Sequence, residues 1–171
     1  MAKITIFGLA GTGTTSEGKI LSEKIRYQFV SSGNIFREMA KEQGMNLNEF
    51  EEASNEDPKF DYELDNRMKK FGEESDNFVV ESRLAWHFVP DSIQIQLTCD
   101  FETRIKRIAN RDNLSFKEAK EFTEFREKKI FERYAKYYGI NDFDDNKFDL
   151  VIDTTNTPVD DVVAKIVAIL K

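Results

Sequence analysis

Short apolar runs alternate with longer amphipathic stretches along the chain. The short runs are rich in isoleucine, valine and phenylalanine, which predicts strands because β-branched and aromatic side chains pack well in a sheet. The predicted strands are Lys3–Phe7, Tyr27–Ser31, Asn77–Glu81, Ser92–Thr98 and Phe148–Ile152.

Capping residues predict where the helices between these strands begin. A side-chain oxygen just before a helix accepts an otherwise unpaired backbone N–H, so Ser, Asp and Asn at such places indicate helix starts. The predicted helices run from about Thr14 to Arg26, from the cap Ser32 to about Lys41, from the capping box Asn46…Glu49, from the cap Asp57 with Pro58 in the first turn, from the cap Asp100 to about Arg111, from the capping box Ser115…Glu118 to about Tyr138, and from Thr157 and Pro158 onward.

The alternation of strands and helices indicates a parallel sheet, because parallel neighbours need crossover connections that place helices on both faces. We therefore predict an α/β fold with three layers. Ligands of such folds bind at the carboxyl ends of the strands. That edge lies just after Phe7, Ser31, Glu81 and Thr98.

Composition narrows the class of protein. The 171 residues suit one compact domain. The N-terminus lacks the basic and apolar segments of a secretory signal, so we expect a cytoplasmic protein. We also expect a monomer. The single Cys99 allows no intrachain disulfide, and together with the single His87 it offers no zinc-site spacing. A net charge of −7 argues against nucleic-acid and membrane-surface partners, since both are polyanions.

Positive charge is nevertheless concentrated in residues 101–136, which hold 11 lysine and arginine residues against 7 acidic ones. The lysines of this segment each have a glutamate three or four positions away, a pattern typical of a solvated helix surface. Arg107, Arg111, Arg126 and Arg133 have no acidic residue at those spacings. We interpret these arginines as uncommitted and suited to phosphate, unless carboxylates of other helices pair with them.

A glycine-rich segment between the first strand and the first helix predicts a phosphate loop. GLAGTGTT fits the pattern G-x-x-x-x-G-K-[ST], except that Thr14 stands at the lysine position. Glycines let backbone N–H groups converge on phosphate, and the helix N-terminus adds about half a positive charge. The alternatives are a plain glycine-rich turn and a dinucleotide loop. The residues predicted to bind the phosphates of ATP are Gly8, Ala10, Gly11, Thr12, Gly13, Thr14, Thr15 and Ser16.

The missing lysine normally carries a positive charge to the β- and γ-phosphates. Lys19 cannot replace it, because five residues along a regular helix turn the side chain about 140° away and raise it about 7.5 Å. A replacement charge therefore has to come from elsewhere in the chain, and the arginines of residues 101–136 are the candidates.

Other polar residues complete the predicted site. Thr15 can supply its hydroxyl to Mg²⁺, and Glu81 can orient the water shell of that ion. The alternative for Glu81 is a buried carboxylate held by Arg83 or the loop. Asp61 and Asp65 share one face of a predicted helix, and we interpret them as a solvated surface.

Five segments, taken in order, resemble the cytidylate kinases, particularly the short form common in archaea. ITIFGLAGTGTT is similar to the family's first strand and phosphate loop, and FVSSGNIFREMAKEQGM to its S-x-G-[DE]-[IV]-F-R-x-[LM]-A segment. FVVESRLAWHF is similar to V-[VL]-E-G-R-L-A-x-W. RIKRIANRDNLSFKEAKEFTEFREKKIFERYAKYYGIND is similar to the lid of the family, and FDLVIDTT to its final strand.

The resemblance implies a P-loop NTPase fold with a five-stranded parallel core. It also implies a helical insertion that binds the nucleoside monophosphate (NMP), at about residues 32–76, and a helical lid over ATP, at about residues 104–138. The residues that would bind the acceptor NMP are Ser32, Gly33, Arg37 and Arg83. The catalytic residues, which would surround the transferred phosphoryl group, are Arg107, Arg111 and Arg126.

We predict an ATP- and Mg²⁺-dependent kinase that converts CMP or dCMP to the diphosphate by direct in-line transfer. Two alternatives stay open. The absent lysine also fits a nucleotide-binding regulatory module with impaired transfer. A phosphate loop alone also fits a kinase for another small acceptor, such as a nucleoside or a shikimate-like alcohol.

Overall fold

The structure is a computed structural model that describes residues 2–141, 143 and 145–170. Five parallel strands form one sheet in the order second, third, first, fourth, fifth. The strands are β1 Lys3–Gly8, β2 Gln28–Ser31, β3 Phe78–Glu81, β4 Ile93–Thr98 and β5 Leu150–Asp153. Every predicted strand is confirmed, although β2 to β5 each begin one or two residues later than predicted. Before β5, Phe148 packs in an apolar cluster with Phe7 and Trp86 instead of joining the sheet.

Helices connect the strands throughout the described residues. They are α1 Thr14–Ile25, α2 Ser32–Glu42, α3 Leu47–Glu56, α4 Lys59–Glu74, α5 Ala85–Phe88, α6 Phe101–Asp112, α7 Phe116–Tyr138 and α8 Val159–Ile169. A short 3-10 helix covers Asp145–Lys147.

Capping explains most of the helix starts. Both predicted capping boxes are present, at the starts of α3 and α7, and Asp100 accepts the Thr103 N–H at 2.9 Å to cap α6. The predicted cap of α2, Ser32, is wrong. The cap is Ser31, whose hydroxyl accepts the Asn34 N–H at 3.2 Å. The helix α4 begins after Pro58, yet Asp57 still accepts the Lys59 N–H at 3.0 Å.

The sheet is covered on both faces, which confirms the three-layer α/β prediction. On one face Leu21 of α1 and Val162 of α8 are completely buried against Ile4 and Ile6 of β1. On the other face Phe7 packs with α5 and the end of α7. Burying each large apolar side chain contributes about 1.5–3 kcal/mol, so these two layers hold the sheet in place.

The central strand β1 lies between β3 and β4. The chain passes from β1 to β2 on one side and later crosses from β3 to β4 on the other. The edge beyond β1 is therefore a topological switch point, where α/β proteins bind their ligands. Gly8, Ser31, Glu81 and Thr98 end their strands at this edge.

Two groups of helices lie between consecutive strands along the chain, one between β2 and β3 and the other between β4 and β5. Helices α2, α3 and α4 pack around Phe50, which is fully buried, and α6 packs on α7 through Ile105, Ile108 and Ala119. Ion pairs join α7 to both α3 and α4. Across the described residues, no helix combines the length and apolarity needed to span a membrane.

Candidate active site

The phosphate loop connects β1 to α1 in a conformation that requires glycine. Gly11 has φ +85° and Gly13 has φ +101°, both in the left-handed region that side chains disfavour. The Thr12 N–H and hydroxyl both donate to the carbonyl of Leu9, at 3.1 and 2.8 Å, and close a tight turn. The strand, loop and helix thus follow in the order that a phosphate loop needs.

Thr14 and Thr15 both bind the carboxylate at the end of β3. The Thr14 hydroxyl donates to Glu81 Oε1 at 3.2 Å, and the Thr15 hydroxyl donates to Oε2 at 3.3 Å. No ion pair joins Glu81 to Arg83 within the described residues. Glu81 therefore lies directly at the start of α1, beside the position where a lysine is usual.

Three arginines line a small cavity next to the phosphate loop. Arg83, Arg111 and Arg126 share its wall with Ala10 of the loop. Burial lowers the pKa of Arg126, and the positive charges of Arg83 and Arg111 lower it further. Three positively charged side chains around one cavity at the switch point, two of them exposed, favour an anionic ligand.

The interpretation of the arginines as uncommitted is wrong for several of them. Arg126 pairs with a glutamate of α3 at 3.2 Å, and Arg133 pairs with an aspartate of α4 at 3.0 Å. Arg111 pairs with the next residue in the chain at 2.7 Å. Most of the partners belong to other helices, so spacing within one helix could not reveal them. The partners of these three arginines are Glu51, Asp61 and Asp112.

Arg107 lies apart from the cavity. One of its terminal nitrogens donates to the carbonyl of Gly11 at 3.2 Å, and the other donates to the carbonyl of Thr154 at 2.8 Å. Among the described residues no carboxylate forms an ion pair with Arg107. Its guanidinium therefore contacts the outside of the phosphate loop.

The predicted acceptor residues Ser32, Gly33 and Arg37 occupy the first turns of α2. Arg37 donates to Asn34 at 2.5 Å, and its guanidinium lies within 4 Å of where a Gly33 side chain would begin. The fourth predicted residue, Arg83, lines the arginine cavity instead. The structure thus divides this set between two strand ends.

Asp61 and Asp65 do not form a solvated surface, which corrects the prediction. Both are half-buried between α4 and α7, where Asp61 pairs with Arg133 and Asp65 accepts a short hydrogen bond from the Tyr138 hydroxyl. Burial raises the pKa of Asp65 to about 6, and the nearby Asp61 charge adds to the increase. The long helix α7 covers this face of α4, and this tertiary contact cannot be predicted from the pattern of α4 alone.

We expect Asp65→Asn to stabilise the protein at pH 8 and to have little effect at pH 4. The folded pKa of about 6 exceeds the unfolded value of about 3.9, so the native state binds the extra proton and loses stability as pH rises through 6. The amide cannot ionise but still accepts from Tyr138, so the gain in free energy of unfolding at pH 8 is about 1–3 kcal/mol. Urea titrations at both pH values measure it. The control is Glu73→Gln, an exposed carboxylate of the same helix; an equal gain in both variants, or a gain that does not vary with pH, contradicts the assignment.

Comparison with known proteins identifies the family. The model of the cytidylate kinase-like family matches residues 3–156. The chain belongs to the cytidylate kinase-like family. A cytidylate kinase of Methanobrevibacter smithii is 37% identical over 168 residues, covering 98% of both chains. A cytidylate kinase of Methanosarcina acetivorans is 41% identical over 156 residues, covering 89% of this chain and 87% of that one.

Solved structures share the fold of this family member. An uncharacterized protein from Eubacterium ventriosum superimposes with a TM-score of 0.76 at 20% identity, over 99% of this chain and 98% of that one. A shikimate kinase from Bacteroides thetaiotaomicron superimposes with a TM-score of 0.69 at 16% identity, with the same coverage. At these identities the likeness shows the kinase-type α/β fold alone.

Two buried charged groups near the loop were not predicted from the sequence. Glu17 is 3% exposed and lies against Gly13, and its Oε2 has no hydrogen-bond partner among the described residues. Burial raises the pKa of Glu17, and the Arg107 charge opposes the increase. Arg104 forms a buried ion pair with Glu127 of α7. An acid in the first turn of a helix is usually a solvated partner of the helix dipole, so Glu17 carries no distinctive sequence signal. The Arg104–Glu127 pair carries none either, because its two members lie on different helices.

Proposed function

We propose that this chain transfers the γ-phosphoryl group of ATP to CMP or dCMP. In this proposal residues 32–76 bind the acceptor and residues 104–138 form the lid over ATP. Nucleotides are its proposed partners, and a cytoplasmic monomer is its proposed state. Membership in the cytidylate kinase-like family supports the choice of acceptor.

The phosphate loop is the proposed binding site of the ATP phosphates. Gly8 and residues 10–16 would surround them with backbone N–H groups and the positive end of α1. Thr15 and Glu81 fit a Mg²⁺ site, since a hydroxyl and a carboxylate at the same helix start are oxygen donors of the kind this ion prefers. When bound, Mg²⁺ neutralises part of the phosphate charge.

The arginine cavity is the observation that carries the proposal. Arg83, Arg111 and Arg126 come from a strand end and from two different helices, yet line one small space beside Ala10. We propose that Arg111 and Arg126 neutralise charge on the transferred group, while Arg83 orients the acceptor phosphate with Arg37. Arg107 is the third predicted catalytic arginine, but it binds the carbonyls of Gly11 and Thr154 and does not line this cavity.

Positioning and charge neutralisation are sufficient for this reaction. Phosphoryl transfer needs the attacking and leaving oxygens held in line, and it asks little covalent chemistry of the protein. No residue is proposed as a general base. The pairs of Arg126 with Glu51 and of Arg133 with Asp61 join α7 to the helices of residues 32–76, and so link the proposed lid to the proposed acceptor segment.

An acceptor panel tests this function. Purified protein with ATP and Mg²⁺ is assayed with CMP, dCMP, UMP, AMP, cytidine and shikimate, and ADP and the phosphorylated acceptor are separated by chromatography. We expect CMP or dCMP to give the highest kcat/KM. A higher kcat/KM for cytidine or shikimate would replace the proposed acceptor class.

We expect Arg37→Ala to raise the KM for CMP by about tenfold or more, with a smaller change in the KM for ATP. A charge-assisted bond to a phosphate contributes about 1.5–3 kcal/mol, and Arg37 forms no ion pair among the described residues. Steady-state kinetics with each substrate varied in turn measure both constants. The control is Lys41→Ala, an exposed lysine of the same helix. An unchanged KM for CMP would remove Arg37 from the acceptor site.

A further inference from the structure

Donors from outside the phosphate loop bind three consecutive carbonyls of that loop. Arg104 donates to Ala10 O at 3.2 Å, Arg107 donates to Gly11 O at 3.2 Å, and the Thr154 hydroxyl lies 2.8 Å from Thr12 O. These donors come from α6 and from the residue after β5. These three carbonyls are therefore bound by donors within the protein, on the side of the loop called outer below.

This arrangement fixes the direction of two N–H groups of the loop, those of Gly11 and Gly13. In a trans peptide the N–H of one residue points opposite to the carbonyl of the residue before it, and the structure contains no cis peptide among its described residues. With the Ala10 and Thr12 carbonyls held outward, the N–H groups of Gly11 and Gly13 point to the inner side. The inner side is where a phosphate binds in a loop of this type.

The donors are themselves held firmly. Arg104 is 4% exposed and forms a bidentate pair with Glu127 of α7, at 2.6 and 3.3 Å. Thr154 is 1% exposed, and its hydroxyl also lies 3.0 Å from the carbonyl of Thr98. The backbone of α6 packs directly on the loop: a side chain at Gly11 would come within 2.7 Å of the Arg104 carbonyl, so only glycine leaves room for this contact.

We infer that Arg104, Arg107 and Thr154 form a clamp. From the outer side of the phosphate loop, the clamp holds the loop in the conformation whose inner side binds phosphate. This chain has Thr14 at the lysine position, and two guanidinium groups bind carbonyls of the loop from its outer side. Arg104 also links the loop, through Glu127, to the helix that carries Arg126. Arg107 is then a positioning residue, and only its effect on turnover rests on the proposed function.

Amide hydrogen exchange without nucleotide tests the clamp. We expect Arg107→Met to exchange the amides of the peptide covering Phe7–Thr15 about tenfold faster than wild type, because a loop carbonyl loses its charged donor. Arg107→Lys, which keeps one donor, should give an intermediate rate. Thr154→Val, nearly the same shape without the hydroxyl, should accelerate the same peptide.

The control is Lys106→Met, an exposed residue of α6 that pairs with Glu102. It should leave exchange of the loop peptide at the wild-type rate, and circular dichroism checks that each variant is folded. Wild-type loop exchange in Arg107→Met and in Thr154→Val would overturn the clamp. If Arg107 instead contacted phosphate directly, Arg107→Met would weaken ADP binding and leave loop exchange without nucleotide unchanged. A protein inactive with every acceptor but with accelerated loop exchange in these variants would refute the proposed function and retain the clamp.

Discussion

Replacing Arg126 with alanine is expected to lower kcat for transfer from ATP to CMP by about 10³-fold, with less than a threefold change in the Kd for ATP. A positive charge that meets the transferred phosphoryl group acts most strongly in the transition state, and such arginines contribute about 10³–10⁵ to kcat in related phosphoryl transfers. Arg126 fits this role because it lines the cavity beside Ala10 of the phosphate loop. Rapid-mix kinetics and ATP titration measure the two quantities.

The matched control for this prediction is Lys129→Ala on the same helix. Lys129 is an exposed lysine that pairs with Glu132, so its loss should change neither constant appreciably. Glu51→Gln further separates the roles of Arg126, since it removes the partner of the arginine but keeps the arginine. A loss of ATP affinity with unchanged kcat in Arg126→Ala would show a binding role and contradict a transition-state role.

Glu127→Ala is expected to cost about 3–5 kcal/mol of unfolding free energy and to lower Tm by about 10 °C. Removing one partner of a buried ion pair leaves the other charge uncompensated, here Arg104 with 5% of its side chain exposed. Thermal and urea unfolding measure the loss. Replacing both members, as in Arg104→Met with Glu127→Met, should recover a large part of it, because no unpaired charge remains.

The control for this second prediction is Glu124→Ala. Glu124 lies on the same helix but is exposed and pairs with Lys120 at 4.0 Å, so its loss should cost less than about 0.5 kcal/mol. An equal cost for the two glutamates would mean that the Arg104–Glu127 pair does not connect α6 to α7 as the structure indicates.

Local patterns predicted the fold well. The strands were predictable because each is a short apolar run, and the helix starts at Asn46, Asp100 and Ser115 because their caps act within three residues. The phosphate loop was predictable for the same reason, since its glycines and threonines are contiguous. The error at Ser32 is a shift of one residue, where two serines that can both cap a helix stand side by side. The Asp57 side chain does accept a backbone N–H at the start of α4, as predicted.

The surroundings of the arginines could not be predicted from spacing within one helix. Arg126 meets Glu51, which precedes it by 75 residues, and Thr154 lies 142 residues from the Thr12 carbonyl that its hydroxyl contacts. Such pairs depend on how helices pack, which the periodicity of each helix does not determine. Asp65 illustrates the same limit, because its helix face looks solvated until α7 is placed over it.

Measuring ATP binding and transfer to CMP with one preparation of the wild-type protein tests whether the chain is a kinase. We expect that the chain, with Thr14 in place of the lysine, still turns over at about 1–100 s⁻¹, as kinases with a complete set of charges do. The contradicting result is tight ATP binding with no CDP formed in the wild type and none in Thr14→Lys. That result would make the chain a nucleotide-binding module and not a kinase.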